Sequence, residues 1–193
     1  MNSFIDAINS ALTLFIWQTQ ANMHYLFFIL VLMYAIFVIS RIFPHLLVLG
    51  IWPRKLYGLP GILFAPFLHV NFNHLFFNSI PLVILSNFLL INGLHYYLMA
   101  TLSIACISGL CIWCFAKPGI HLGSSGVVTG YWGLLVANLY VQGTLMALML
   151  GIVCIYYFAG IFLGVFPGEK GVSWEGHLFG LLAGIGTSYI VMM

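Results

Sequence analysis

Residues 121–130 read HLGSSGVVTG, and the segment they open decides the fold. Gly123 and Gly126 bracket Ser124 and Ser125, and this loop leads into an apolar stretch with no charged residue from Val127 to Leu163. So long an uncharged run suits a bilayer, because soluble domains carry roughly a quarter charged residues. Working outward, the rest of the chain has the same character: 63% of its 193 residues are hydrophobic, 17% aromatic and 4% charged. The sequence is that of an integral membrane protein.

A helix needs about 20 residues to cross the hydrocarbon core, so this length permits about six crossings with short connections. Apolar runs between Gly, Pro and polar breaks predict helices at His24–Phe43, Phe72–Ile91, His95–Phe115, Ser125–Val141, Leu145–Phe166 and Trp174–Met192. The expected fold class is an all-α membrane protein, a six-transmembrane-helix bundle forming a single domain over residues 1–193. Residues 1–22 lack the basic start, apolar centre and small-residue cleavage site of a signal peptide. With Ile5, Ile8, Leu12 and Phe15 on one face, they are expected to remain in the mature chain as an interfacial helix. The stretch from Pro44 to Leu68 is apolar but punctuated by Pro44, Pro53, Pro60 and Pro66 and by Gly50, Gly58 and Gly61. Such backbone is tolerated at membrane depth only where protein or water satisfies it, which predicts a structured, membrane-associated loop against the bundle.

Helices of alternating direction bring Phe43, His69, Leu122 and Ser173 to one side of the membrane. Ser125, His177, His69, His74 and Asn78 then lie within about two turns of that face. Ser125 and His177 are two crossings apart and sit at comparable depth. Gly126, Gly130 and Gly133 on the fourth predicted helix, and Gly176, Gly180 and Gly184 on the sixth, let two backbones approach closely in lipid. Glycine-rich faces also occur in ordinary bundles, and a helix serine often bonds its own backbone, so GSSG alone does not decide. A further stretch, HVNFNHLFFN at residues 69–78, adds His69, His74 and Asn78. His74 and Asn78 are four apart and share a helix face. Polar groups at that depth are costly unless paired or functional, and two donors aimed into a bundle are what an oxyanion site requires.

Counting excludes other hydrolytic chemistries. The sequence has no H-E-x-x-H, and Asp6 is its only aspartate, so neither a zinc protease nor an intramembrane aspartyl dyad fits. Cys106, Cys111, Cys114 and Cys154 lie inside predicted spans and read as small apolar packing residues. No metal or other cofactor is expected, and a formal charge of +2 does not suggest nucleic acid. Val127 stands where the soluble hydrolase elbow G-x-S-x-G ends in glycine. Neither Glu169, in a loop, nor Glu175, two positions before His177, is placed to complete a triad. A Ser–His dyad is the simplest arrangement left.

Three motifs, in order and spacing, resemble those of the rhomboid intramembrane serine proteases: H-x4-H-x3-N as His69, His74 and Asn78; G-x-S-G as Gly123, Ser125 and Gly126; and H-x2-G-x3-G as His177, Gly180 and Gly184. The likeness extends from the first predicted helix to the sixth and implies a rhomboid-like bundle. By matching position it implies Ser125 as nucleophile and His177 as general base, then acid. His74, Asn78 and the Ser125 backbone N–H would hold the oxyanion, and His69 would brace the first loop. Ser124 occupies a variable position. The site would open through a hydrophilic cavity, and the loop FPGEKGVSW, with Gly168 and Gly171 as hinges, would cap it.

The resemblance further implies single-pass transmembrane proteins as substrates, cut in or near the membrane segment, with membrane lipid as surroundings. It also implies a multi-pass protein of the bacterial inner membrane whose site opens outward. All five basic residues, Arg41, Arg54, Lys55, Lys117 and Lys170, fall on the site's face, so the positive-inside rule alone would make that face cytoplasmic. Two positions depart from many rhomboids: Pro60 and Gly61 replace a Trp-Arg pair, and Thr129 replaces a tyrosine that stacks on the histidine, Tyr131 being out of position. An alternative reading is a non-catalytic rhomboid-like protein that binds transmembrane segments. A channel or transporter would need a paired intramembrane charge or a broken midplane helix, and neither is read here.

Overall fold

The computed structural model describes residues 2–166 and 173–191. Within them the chain forms six long helices: α1 (Asn2–Ile42), α3 (Phe72–Leu90), α4 (Leu94–Phe115), α5 (Ser125–Val141), α6 (Leu145–Leu163) and α7 (Trp174–Ile190), with a short α2 (Gly61–Phe64) in the first loop. The fold is an all-α membrane bundle. The expected spans after the first are found nearly to the residue, because Gly, Pro and capping residues bound them. Asn71 Oδ1 accepts from the His74 N–H to start α3, and Thr144 Oγ1 accepts from Ala147 to start α6, caps worth about 1 kcal/mol each.

The amino-terminal segment differs from its sequence reading. Residues 1–22 do not form a helix separate from the first span; from Asn2 they continue α1 without interruption. The reason is compositional, since no Gly or Pro occurs between Asn2 and Ile42 to break the helix. Its 41 residues extend about 60 Å, roughly twice the hydrocarbon thickness. The lower part of α1 packs on α3 through Phe15 against Phe88, ring centroids 6.0 Å apart, and through Asn87 Nδ2 donating to Thr19 Oγ1 at 2.8 Å.

Among the described residues α1, α3, α4 and α6 are long and apolar enough to cross a bilayer. The two remaining long helices, α5 and α7, have 17 residues each and form the centre of the bundle. Their length of about 26 Å falls short of the core thickness. They pack backbone to backbone: a Cβ on Gly180 or Gly184 would run into the carbonyl of Gly126 or Gly130, and one on Gly126 would sit 3.1 Å from the Gly176 carbonyl. Backbone-to-backbone contact of this kind is the small-residue packing expected of the two glycine series.

The first loop is ordered, as its prolines and glycines suggest. It runs through short 3-10 turns and α2, and Gly61 crosses directly over the Gly50 backbone. Ile51 and His121 exchange both backbone hydrogen bonds at 3.0 and 2.9 Å, and the Gly123 N–H donates to the Ala65 carbonyl at 2.9 Å. Arg54 takes up a left-handed conformation, φ 60°, and closes the end of α4: its N–H donates to Trp113 and its guanidinium to the carbonyls of Cys114 and Ala116. These bonds satisfy carbonyls that the helix end leaves open. The loop that carries no Trp-Arg pair at Pro60 and Gly61 is thus fastened by Arg54 instead.

Candidate active site

Ser124 is the amino-cap residue of α5 and Ser125 its first helical residue. The first intrahelical bond runs from the Val128 N–H to the Ser124 carbonyl, so the amides of Ser125, Gly126 and Val127 lack intrahelical acceptors. They give this end a partial positive charge suited to an anion. The turn into it depends on Gly123, whose φ of +107° is a conformation that side chains rarely adopt.

His74 and Asn78 converge on this turn from α3. A Cβ on Gly123 would lie 2.6 Å from the His74 ring and 3.6 Å from Asn78 Nδ2. The Asn78 amide nitrogen is buried and has no hydrogen-bond partner among the described residues. An unpaired buried donor is costly, by about 1–3 kcal/mol, and here it lies beside the Gly123 turn that leads into α5.

Behind them lies His69, fully buried, its ring 5.1 Å from that of His74. Its Nε2 receives the Ser124 N–H and O–H at 3.5 and 3.4 Å, longer than ordinary bonds. Burial, with His74 as neighbour, pulls the His69 pKa down to about 4, so the ring is neutral. His69 thus lies against the serine turn, with its Nδ1 unpartnered among the described residues, and Ser124 is buried beneath that turn.

His177 is partly exposed at the end of the first turn of α7. Its Nδ1 lies 2.8 Å from the Gly164 carbonyl. A carbonyl only accepts, so Nδ1 carries the proton and a neutral ring presents Nε2 as its acceptor. A Cβ on Gly164 would sit 2.5 Å from Nδ1, which explains glycine there. Sequence reading missed this residue because its role depends on where α6 ends relative to α7.

The same contact resolves the Thr129 departure. Thr129 Oγ1 bonds the Ser125 carbonyl at 2.8 Å, and Tyr131 is buried elsewhere with its hydroxyl on Thr101 at 2.7 Å. Neither supports His177, and the Gly164 carbonyl does. Ser125 and His177 are brought to one crossing, yet no hydrogen bond joins them. Catalytic pairs often close only around substrate.

Ser125 borders a cavity walled by Ile62, Ala65, Ala105, Ser108 and Gly176. Its lining is mostly apolar rather than hydrophilic, because the loop sends Ile51 and Ala65 against Ile112 of α4 there. The Ser108 hydroxyl is turned back onto the Ile104 carbonyl at 2.6 Å. The expected cap, with Gly168, Glu169, Lys170 and Gly171, lies outside the described residues. Arg41, Arg54, Lys55 and Lys117 follow helix ends and loops on the site's side of the bundle.

Residues 53–193 match the family model for the rhomboid domain. An uncharacterized protein of Mycobacterium bovis and one of Mycobacterium tuberculosis are each 38% identical over 152 residues, 74% of this chain and 63% of theirs. An uncharacterized protein of Mycobacterium leprae is 33% identical over 171 residues, 83% of this chain and 67% of its own. The chain thus spans 63% of the length of the first two relatives. With a matching domain over most of its length and a Ser, His and Asn cluster in an all-helical membrane bundle, the chain belongs to the rhomboid family.

Proposed function

We propose that this rhomboid is an intramembrane serine protease that hydrolyses peptide bonds in or near the transmembrane segments of single-pass membrane proteins. The observation that supports the reading is the Asn78 donor, unpartnered among the described residues and held with His74 against the Gly123 turn that leads into α5. A membrane bundle keeps such a donor where something negative arrives.

Ser125 Oγ attacks the scissile carbonyl carbon while its proton passes to Nε2 of His177. The carbonyl oxygen takes the negative charge and is held by the Ser125 N–H, His74 and Asn78 Nδ2. Each preorganised donor contributes about 3 kcal/mol in a water-poor site. As the intermediate collapses, the Nε2 proton moves to the leaving amine, and the acyl chain stays on Ser125. A water then repeats the sequence, giving its proton to His177 and its oxygen to the new carboxyl group. Throughout, the Gly164 carbonyl keeps Nδ1 protonated and stabilises the imidazolium.

A helix in lipid hides its carbonyls, so the scissile stretch must unwind to reach Ser125. Substrates with small residues and helix-weakening sequence near one membrane face meet that need. The reading includes a bacterial inner membrane location with the site opening outward, against the clustering of basic residues on that face. It invokes no metal, other cofactor or nucleic acid.

The unmade Ser125–His177 bond favours a second reading, a non-catalytic rhomboid that binds transmembrane segments. Reconstitution with a single-pass model substrate carrying a small residue in a glycine-containing membrane segment separates the two. Cleavage that disappears in Ser125→Ala and His177→Ala supports the protease. Binding without cleavage by the unmodified chain supports the second reading.

A further inference from the structure

A second serine–histidine contact lies beside the site. His121 Nδ1 is 2.9 Å from Ser173 Oγ, and His121 Nε2 is 3.1 Å from the Lys117 carbonyl. Because that carbonyl only accepts, Nε2 of the neutral ring bears the hydrogen, Nδ1 is bare, and the Ser173 hydroxyl donates to it. Ser173 Oγ in turn accepts from the Gly176 N–H at 3.3 Å and caps α7. Every polar atom of this pair therefore has a defined direction.

The pair sits at equivalent points of two chain segments. His121 stands four residues before Ser125, and Ser173 four residues before His177. The His121 backbone is bonded both ways to Ile51 of the first loop, and Lys117 lies over the Trp174 ring at 5.9 Å. The glycine contacts between α5 and α7 set how far apart those helices are, but a smooth glycine face leaves sliding along the axis weakly opposed. A side-chain bond between the segments that lead into the two helices opposes sliding directly.

We propose that His121 and Ser173 form a positioning strut that fixes the axial register of α7 against the serine turn, and so the placement of His177 relative to Ser125. This rests on the assignment of Ser125 as nucleophile. A displacement near 1 Å in a reacting pair lowers rate by up to about a hundredfold, whereas binding of a small reagent hardly depends on it. The strut thus acts on the chemical step.

The test uses the intact chain in detergent and separates the maximal inactivation rate of a fluorophosphonate at Ser125 from its apparent binding constant. Ser173→Gly, a residue well tolerated at a helix amino cap, leaves His121 no side chain to bond. Ser173→Thr keeps both the cap and the hydroxyl, and His121→Phe removes the other half. Ser173→Gly and His121→Phe are expected to lower the maximal rate by about tenfold with the binding constant unchanged. Ser173→Thr should restore the rate, and the double variant should be no slower than either single one. Unchanged rates in well-folded Ser173→Gly or His121→Phe, with the unmodified chain labelled, overturn the strut and leave the nucleophile standing. Absence of labelling in the unmodified chain overturns the nucleophile, and the strut with it.

Discussion

The α5–α7 crossing and the α1–α3 contact solve opposite problems with the same membrane-compatible alphabet. At the crossing, Gly126 and Gly130 meet Gly180 and Gly184 backbone to backbone, with no side chain between them to yield. At the periphery, α1 leans on α3 through a phenylalanine pair and the Asn87–Thr19 bond, and large residues such as Trp17, Phe27 and Phe28 remain exposed. Precision is concentrated where two chain segments must present chemical groups to each other. Where α1 only closes the outside of the bundle, lipid replaces any contact that is lost, since it is as apolar as the side chains it covers.

That contrast is sharpest under substitution. Gly180→Leu must displace the Gly126 backbone, and overpacking of even a compliant core costs about 1–3 kcal/mol. Loss of the folded, monodisperse protein is expected, together with all fluorophosphonate labelling. Asn78→Ala separates site from scaffold: it removes a donor that already has no partner, so thermal stability should hold or rise. The labelling rate should nevertheless fall by about a hundredfold. A drop in stability comparable to the drop in rate would mean that Asn78 is structural.

The pH response of His69 offers a smaller probe. Folding holds its pKa near 4, below the ordinary 6.5, so between those values the unfolded chain binds a proton that the folded chain refuses. The His69 contribution is intact above pH 6.5 and is lost progressively as pH falls towards 4. Thermal unfolding between pH 7 and pH 4.5 should decline more steeply for the unmodified chain than for His69→Asn. Least is expected at the site from Thr19→Val at the periphery: it leaves the buried Asn87 Nδ2 without its partner, a loss of about 1–3 kcal/mol in stability, and labelling should not change.

Much of this arrangement is legible in sequence because membrane helices announce themselves by length, apolar content and Gly or Pro breaks. Boundaries at Phe72, Ser125, Leu145 and Trp174 follow from those signals, as do the facing glycine series and the meeting of His74 and Asn78 with the serine turn. The continuity of α1 was hidden by polar residues such as Thr19 and Asn22, which read as interfacial but pack towards α3 or are buried. Gly164 was hidden for another reason: a backbone carbonyl carries no residue signature, and only the end of α6 brings it to His177. His121 and Ser173 are 52 residues apart, and no local pattern joins them. The Ser173 cap was available from the serine three positions before Gly176, yet its second bond was not.

The measurement that tests the central claim most directly is the site of covalent modification by a fluorophosphonate, mapped by mass spectrometry in the unmodified chain, Ser124→Ala, Ser125→Ala and His177→Ala. The account predicts one adduct, on Ser125, that survives Ser124→Ala and is lost in the other two variants. An unmodified, well-folded chain that takes up no label, or one labelled on Ser124, would contradict it.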